Sequence, residues 1–195
     1  MRRHVLALTA MTALACAPLA TAQAYEIDIL TRQPFVVGPT SSADRPQASA
    51  IPREVVSFSG RYGAGTIVIS TSERRLYYVL GDGTAVRYGV GVGRPGFEWS
   101  GSKTISRKAE WPGWTPPPQM LKRRPDLPRH MAGGPDNPLG ARAMYLGSSL
   151  YRIHGSNEPE TIGQAVSSGC IRMTNDDVVD LYNRVRVGTR VVVQR

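Results

Sequence analysis

The sequence predicts a mainly β fold with one main helix near the C terminus, and three observations carry that expectation. Between Thr66 and Val92, β-branched and aromatic residues fall into three short runs separated by turn residues. From Trp111 to Pro138 the chain holds eight of its fifteen prolines, which reads as a long stiffened loop on a sheet scaffold. A helical period appears only after Thr174.

In chain order, Thr66 to Ser70 is apolar on both faces, as a buried strand requires, and Thr71 to Arg74 turns the chain into a second strand, Arg75 to Leu80. Gly81-Asp82-Gly83-Thr84 supplies the positive-φ residues of a hairpin turn. The third run alternates, with Val86, Tyr88, Val90 and Val92 on one face, which completes a β-meander. Gly91-Val92-Gly93-Arg94-Pro95-Gly96 matches G-x-G-x-x-G, but Pro95, Gly96 and Trp99-Ser100-Gly101 open no helix, so it reads as a strand ending in a tight turn rather than a dinucleotide site. Strand character resumes at Ala141 to Leu146 and at Leu150 to His154. Thr174 then begins a T-x-x-D cap with Asp177, and Val178, Leu181, Tyr182 and Val185 form one apolar stripe. Gly188 ends that helical unit, and Arg190 to Val193 is a closing strand.

Met1 to Ala24 has Arg2 and Arg3, an apolar run from Val5 to Ala20, and Ala22-Gln23-Ala24, the layout of a secretory signal peptide. The run is too short for a membrane span and is interrupted by Pro18. A lipoprotein signal ending at Cys16 is the other reading, although Ala13 stands where a bulkier aliphatic residue is preferred. Residues 25–62, rich in Pro, Ser, Ala and Thr, read as a flexible leader and linker, and residues 63–195 as the globular domain. Removal of the signal leaves 22 Lys plus Arg against 15 Asp plus Glu, a basic surface suited to cell-wall polymer or anionic lipid rather than nucleic acid. Lys122-Arg123-Arg124, stopped by Pro125, reads as a loop.

Cleavage also removes Cys16 and leaves Cys170 as the only thiol, in a compartment where a lone cysteine needs a reason. A free cysteine has a pKa of about 8.5, and lowering it to about 6 takes roughly 3.4 kcal/mol, which a neighbouring imidazolium can supply. His154 ends a predicted strand and is preferred as that partner over His130, which lies in the proline-rich loop. Ser167-Ser168-Gly169-Cys170 offers successive backbone N–H groups for an oxyanion, and Gly169 leaves room for substrate. Arg172 either meets a substrate carboxylate or forms a structural ion pair. An acid or a backbone carbonyl such as that of Gly155 would orient His154, and Gly155 is counted with the substrate-binding set.

His154-Gly155 followed by Ser167-x-Gly169-Cys170-Ile171-Arg172-Met173 resembles the signature of the L,D-transpeptidase, or YkuD-like, catalytic domain. Gly91 to Gly96, Trp111-Pro112-Gly113-Trp114-Thr115-Pro116-Pro117 and Asn137 to Ala143 are similar to family segments in the same order, so the resemblance runs from about Gly65 to the C terminus. Two departures stand out. Glu98-Trp99-Ser100-Gly101 replaces a common T-P-x-G, and Ser168 stands where some members carry a second histidine, which limits Ser168 to its backbone.

The resemblance implies a β-sandwich of mixed sheets with the helix beside the catalytic strand, Cys170 as nucleophile and His154 as its base and acid. It implies acylation of Cys170 by a peptidoglycan tetrapeptide stem with release of D-alanine. The acceptor is then a second stem, a lysine of an envelope lipoprotein, or water, the last making an L,D-carboxypeptidase. No cofactor or metal is called for, and the expected location is the periplasm or cell envelope. A papain-like hydrolase would carry Cys before His, the reverse of this chain, and a non-catalytic wall-binding module would keep His154 and Cys170 apart.

Overall fold

The computed structural model describes residues 51–195 together with two short strands upstream, Tyr25–Ile27 (β1) and Pro34–Val36 (β2), which pair antiparallel as a ribbon of their own. The expected signal peptide and most of the leader lie outside the described residues.

The main unit is built on a nine-stranded mixed sheet. Its strands are Glu54–Ser57 (β3), Ile67–Ser70 (β4), Arg75–Val79 (β5), Thr84–Gly89 (β6), Gly101–Glu110 (β8), Arg142–Leu146 (β9), Arg152–His154 (β10), Ile171–Arg172 (β12) and Arg190–Gln194 (β13), in the order β12-β10-β9-β8-β13-β4-β5-β6-β3. Val92–Gly93 (β7) and Ala165–Ser167 (β11) form a separate parallel pair. The long β8 belongs to both halves: Gly101 to Thr104 pair with β13, whereas Ile105 to Glu110 pair with β9 across a register shift. The sheet curls far enough that Gly91, just past β6, exchanges two 2.9 Å hydrogen bonds with Arg172 of β12. Ile67, Ile69, Leu76 and Tyr88 from one half and Ile105, Met144, Leu146, Ile153 and Ile171 from the other therefore share one core.

The helix expected after the cysteine is α2, Asn175–Arg184, the longer of the two α-helices among the described residues. Thr174 is its N-cap and its Oγ1 accepts the Asp177 N–H at 3.2 Å. Val178 and Leu181 are fully buried, and the helix packs against β9. Lys108 of β8 donates to the carbonyls of Tyr182 and Val185, both at 2.7 Å, which satisfies the helix C terminus with a cation where the dipole favours one.

The mainly β class, mixed sheets and single main helix agree with the sequence reading, and three local features differ from it. The sheet begins upstream of residue 63: β3 pairs with β6, and Arg53 lies 3.6 Å from Asp177 and 3.5 Å from Asp180 of α2. β8 lies where no strand was expected, because only Ile105 among its ten residues is fully buried and the hydrophobic alternation that marks a strand is missing. Within the proline-rich segment, Pro118–Arg123 forms a short helix (α1), so Lys122 and Arg123 sit in a helical turn rather than a loop. The proline that opens it needs no N–H at that position. Gly91 to Gly96 is followed by a turn and then β8, with no helix.

Truncation of Leu181 to Ala removes a fully buried side chain and is expected to cost about 2–5 kcal/mol, whereas Thr174→Ala removes one capping bond and costs about 1 kcal/mol. Urea unfolding of the two variants checks both magnitude and order, and equal losses would mean that the cap and not the packing holds α2.

Candidate active site

Parallel pairing of β10 with β12 sets the site's frame. Ile153 aligns with Ile171 and His154 with Arg172, and the Met173 N–H donates to the His154 carbonyl at 2.9 Å. Cys170 immediately precedes β12 and His154 closes β10, so the two residues stand two register positions apart on neighbouring parallel strands whose Ile153 and Ile171 are anchored in the core.

His154 is buried, and its Nδ1 lies 2.6 Å from the Gly155 carbonyl oxygen. A carbonyl can only accept, so Nδ1 carries the proton and Nε2 keeps its lone pair. That carbonyl is the orienting partner the sequence reading named beside Asp and Glu. Gly155 is itself held, since its N–H donates to the Arg142 carbonyl at 3.0 Å and an added Cβ would collide with Asn175 Oδ1. Asn175, the first residue of α2, also accepts the Ala141 N–H through Oδ1 at 2.9 Å and thereby ties the helix to the start of β9, the antiparallel neighbour of β10. Nothing in the sequence singled it out, because an asparagine beside a capping threonine looks like ordinary helix-start chemistry.

The Ser-Ser-Gly-Cys turn is closed by Ser167, whose hydroxyl accepts the Gly169 N–H at 3.1 Å and donates to the Cys170 carbonyl at 2.7 Å. The Gly169 N–H is therefore occupied and does not face a substrate as the sequence reading had it. Gly169 is required for another reason than room for substrate: its φ is +103°, and a Cβ would lie 2.6 Å from the Tyr151 ring. The Gly169 carbonyl accepts from Trp99 Nε1 at 2.8 Å, and Trp99 stacks on Tyr151 at 4.6 Å between centroids. Trp99 thus supports the cysteine turn from the segment that departs from the family pattern. Ser168 contributes more than backbone, because its hydroxyl accepts from Arg94 Nη1 at 3.2 Å. The N–H groups of Ser168 and Cys170 have no acceptor among the described residues.

Arg172 forms the structural ion pair, with Nη1 2.7 Å from Glu158 Oε2. His130 is exposed in the proline-rich loop and has Thr115 Oγ1 as its partner at 3.2 Å. Arg152, which sequence reasoning passed over as a polar strand position, is the second guanidinium at the site.

The half-buried Cys170 Sγ is 3.7 Å from the Leu150 carbonyl. Burial pushes the thiol up, opposed by the charge of Arg152, its backbone N–H and the charge of Arg172. Burial, with Arg172 and Arg152 adding to it, lowers His154 to about 3 against the Gly155 hydrogen bond. Burial thus favours the thiol form of Cys170 and the neutral form of His154. The sequence expectation of an imidazolium-depressed thiol is corrected: burial and two arginines disfavour the imidazolium that argument required.

A mixed sheet carrying a thiol and a tautomer-fixed imidazole on neighbouring parallel strands has the residue types that Cys-His group-transfer sites use. The L,D-transpeptidase catalytic domain family matches residues 64–193, two thirds of the chain, and the chain belongs to that family. It is similar to "Probable L,D-transpeptidase ErfK/SrfK" of Escherichia coli K12, 44% identical over 134 residues, 65% of this chain and 43% of that protein. The chain thus spans less than half the length of that relative. A Brucella melitensis crystal structure described as a probable carnitine operon oxidoreductase is 47% identical, with a TM-score of 0.51 over 78% of this chain and 97% of the other. An L,D-transpeptidase structure from Mycobacterium smegmatis shares the fold at 18% identity, with a TM-score of 0.54 over 67% of this chain and 58% of the other.

Two titrations follow. Alkylation of Cys170 by iodoacetamide should rise with pH along a curve centred above the ordinary cysteine value of about 8.5, and a midpoint near 6 would contradict the resting state described. His154 is lowered from 6.5 to about 3 in the folded protein, so between those values the unfolded chain binds a proton that the native chain does not. Stability is then full above pH 6.5 and falls on acidification toward pH 3, by on the order of a few kcal/mol. Urea unfolding at pH 7 and pH 4 should show a smaller loss for His154→Gln than for the wild type.

Proposed function

We propose that this protein is a peptidoglycan L,D-transpeptidase in which Cys170 is the nucleophile and His154 its base and acid. The observation that carries the reading is the His154 Nδ1 bond to the Gly155 carbonyl, which leaves Nε2 free as a base on the strand paired with that of the only described cysteine. Family membership and the name of the Escherichia coli relative supply the substrate class.

In the proposed cycle Nε2 takes the Cys170 proton as sulfur attacks the carbonyl at the L-centre of diaminopimelate in a tetrapeptide stem. The N–H of Cys170 receives the oxyanion, joined by that of Ser168; Ser167 and Gly169 act by holding the turn that presents them. The C–N bond breaks, the imidazolium gives its proton to the departing D-alanine amine, and a thioester remains. An acceptor amine attacks the thioester and passes its proton to His154, and the thiol is restored as sulfur leaves. The thioester holds the acyl group until an acceptor arrives, which separates donor choice from acceptor choice.

His154 is poorly protonated at rest, which keeps it available as a base. It becomes an acid only after taking the proton it must return, so neutral resting chemistry and later acid catalysis agree. The proposed protein is exported to the periplasm or envelope, on the evidence of the signal-like residues 1–24. Residues upstream of the catalytic domain form its leader, and among the described residues no helix is long and apolar enough to cross a membrane. The dinucleotide alternative, raised by the Brucella melitensis protein's description, lacks support in the Gly91 to Gly96 turn, since no helix opens there to hold a pyrophosphate.

Intact-protein mass spectrometry after incubation with a defined tetrapeptide stem should show an acyl adduct on Cys170 in the wild type and none in a folded Cys170→Ala. His154→Gln should slow adduct formation by about a hundredfold or more. Resolution by a second stem, a lipoprotein lysine peptide or water identifies the acceptor, and a wild type that never acylates would sink the reading.

A further inference from the structure

Strand register draws a straight row across the sheet. Arg107 of β8 stands opposite Tyr145 of β9, and Tyr145 stands opposite Arg152 of β10. One step back from the Ile153–Ile171 pair, Arg152 stands opposite Cys170. The neighbouring positions Met144, Leu146 and Ile153 are buried in the core, so Tyr145 and Arg152 lie on the opposite face of the sheet. Both guanidiniums lie over the Tyr145 ring, Arg107 at 3.6 Å and Arg152 at 5.4 Å from its centroid.

Most arginines in the described unit that reach inward have a carboxylate. Arg53, Arg87, Arg142, Arg172 and Arg184 each face an Asp or Glu. Arg107 and Arg152 have none among the described residues; the Nε of Arg87, Arg142 and Arg152 are all buried without a hydrogen-bond partner, but only Arg152 of the three also lacks a carboxylate. Two cations held against one ring repel each other, and a buried N–H without an acceptor costs about 1–3 kcal/mol. A Tyr face offsets part of that through cation–π attraction but cannot accept in line from Nε. An anion against Arg152, with Arg107 adding positive charge from across the Tyr145 ring, would relieve both costs at once, and a planar carboxylate fits a guanidinium fork.

We propose that Arg152, with Arg107 behind it across Tyr145, forms an anion subsite that receives a carboxylate of the stem peptide beside Cys170. The proposal rests on the transpeptidase reading for the identity of that peptide, while the subsite itself rests on the register row and the unpartnered guanidiniums. The two stem carboxylates that flank the scissile bond share the required chemistry, the terminal one on the departing D-alanine and the side-chain one on diaminopimelate. Arg152 would act by direct contact with substrate and would set donor specificity, favouring stems whose carboxylate is free.

A test independent of enzyme activity compares two small alkylating agents of nearly equal size. Iodoacetate is an anion and iodoacetamide is neutral, so the ratio of their rates at Cys170 cancels any change in thiolate fraction and isolates the charge of the subsite. At low salt the wild type should favour iodoacetate over iodoacetamide relative to a free thiol. Arg152→Gln should cut that preference about fivefold and Arg107→Gln by a smaller factor. Arg152→Lys, which retains the charge and guards against a mere folding defect, should keep most of it, and added salt should weaken it. A ratio unchanged in the folded Arg152→Gln protein overturns the subsite.

The donor assignment is tested by intact-mass acylation with three stems: free at both carboxylates, amidated on D-alanine, or amidated on the diaminopimelate side chain. The amidation that lowers the wild-type rate about tenfold or more, and has little further effect in Arg152→Gln, names the carboxylate bound. If neither amidation slows the wild type, the substrate assignment fails even where the iodoacetate preference stands. If no stem acylates the wild type, the transpeptidase reading fails and the alkylation ratio still decides the subsite.

Discussion

The parallel pairing of β10 with β12 is the constraint on which the rest of this molecule depends. Two aligned residue pairs would be a weak tether alone, but Ile153 and Ile171 are fully buried and β12 is also bonded on its other side to Gly91. The short strand is therefore clamped between two parts of the sheet that are far apart in sequence. Its position depends on the whole curl of the sheet, including the β8 register shift that lets one strand serve both halves. A thiol carried on so short a strand is fixed only because its neighbours are fixed, and α2 completes the clamp by placing Asn175 against Gly155.

Burial creates an electrostatic cost that the site resolves in an unexpected direction. An imidazolium was expected to stabilise a thiolate, but Arg152 and Arg172 already bring positive charge to His154 and Cys170, which burial separates from solvent. A third cation there is disfavoured, so the imidazole stays neutral while the same arginines partly counter the effect of burial on the thiol. The proposed chemistry then moves a proton from sulfur to Nε2 as the substrate bond forms, without separating charge at rest. Such a thiol is less open to adventitious oxidation than an exposed thiolate.

How much of this was legible in the sequence depends on whether the signal was local. The meander, the capped helix and the closing strand each carry their own period or turn chemistry, and all were readable from single segments. The Ser-x-Gly-Cys-x-Arg setting and the upstream histidine pointed to the site and its family, and the Gly155 carbonyl was among the partners the sequence left open. β8 was missed because its outward and half-buried positions are Ser, Lys, Thr and Arg, so pairing on both sides and not burial makes it a strand. The start of the sheet at Glu54 was missed because an edge strand of Glu, Val and Ser beside Pro52 resembles a linker. Arg152, Asn175 and Trp99 were missed for a common reason: each acquires its role from a residue more than fifteen positions away.

The same locality explains why the turn's glycine was assigned the wrong task. Read alone, Gly169 before a cysteine suggests space for a substrate, and its N–H suggests an oxyanion donor. In the fold the N–H is occupied by Ser167 Oγ, the carbonyl by Trp99, and the missing side chain by the Tyr151 ring. All three contacts hold the turn in a backbone conformation that an L-residue with a side chain rarely adopts. The strained residue sits one position before the nucleophile, where a shift of its peptide plane would rotate the Cys170 N–H and the Cα–Cβ bond together. Holding Gly169 from three sides therefore positions the sulfur and the proposed oxyanion donor as one rigid unit, and it does so before any substrate binds.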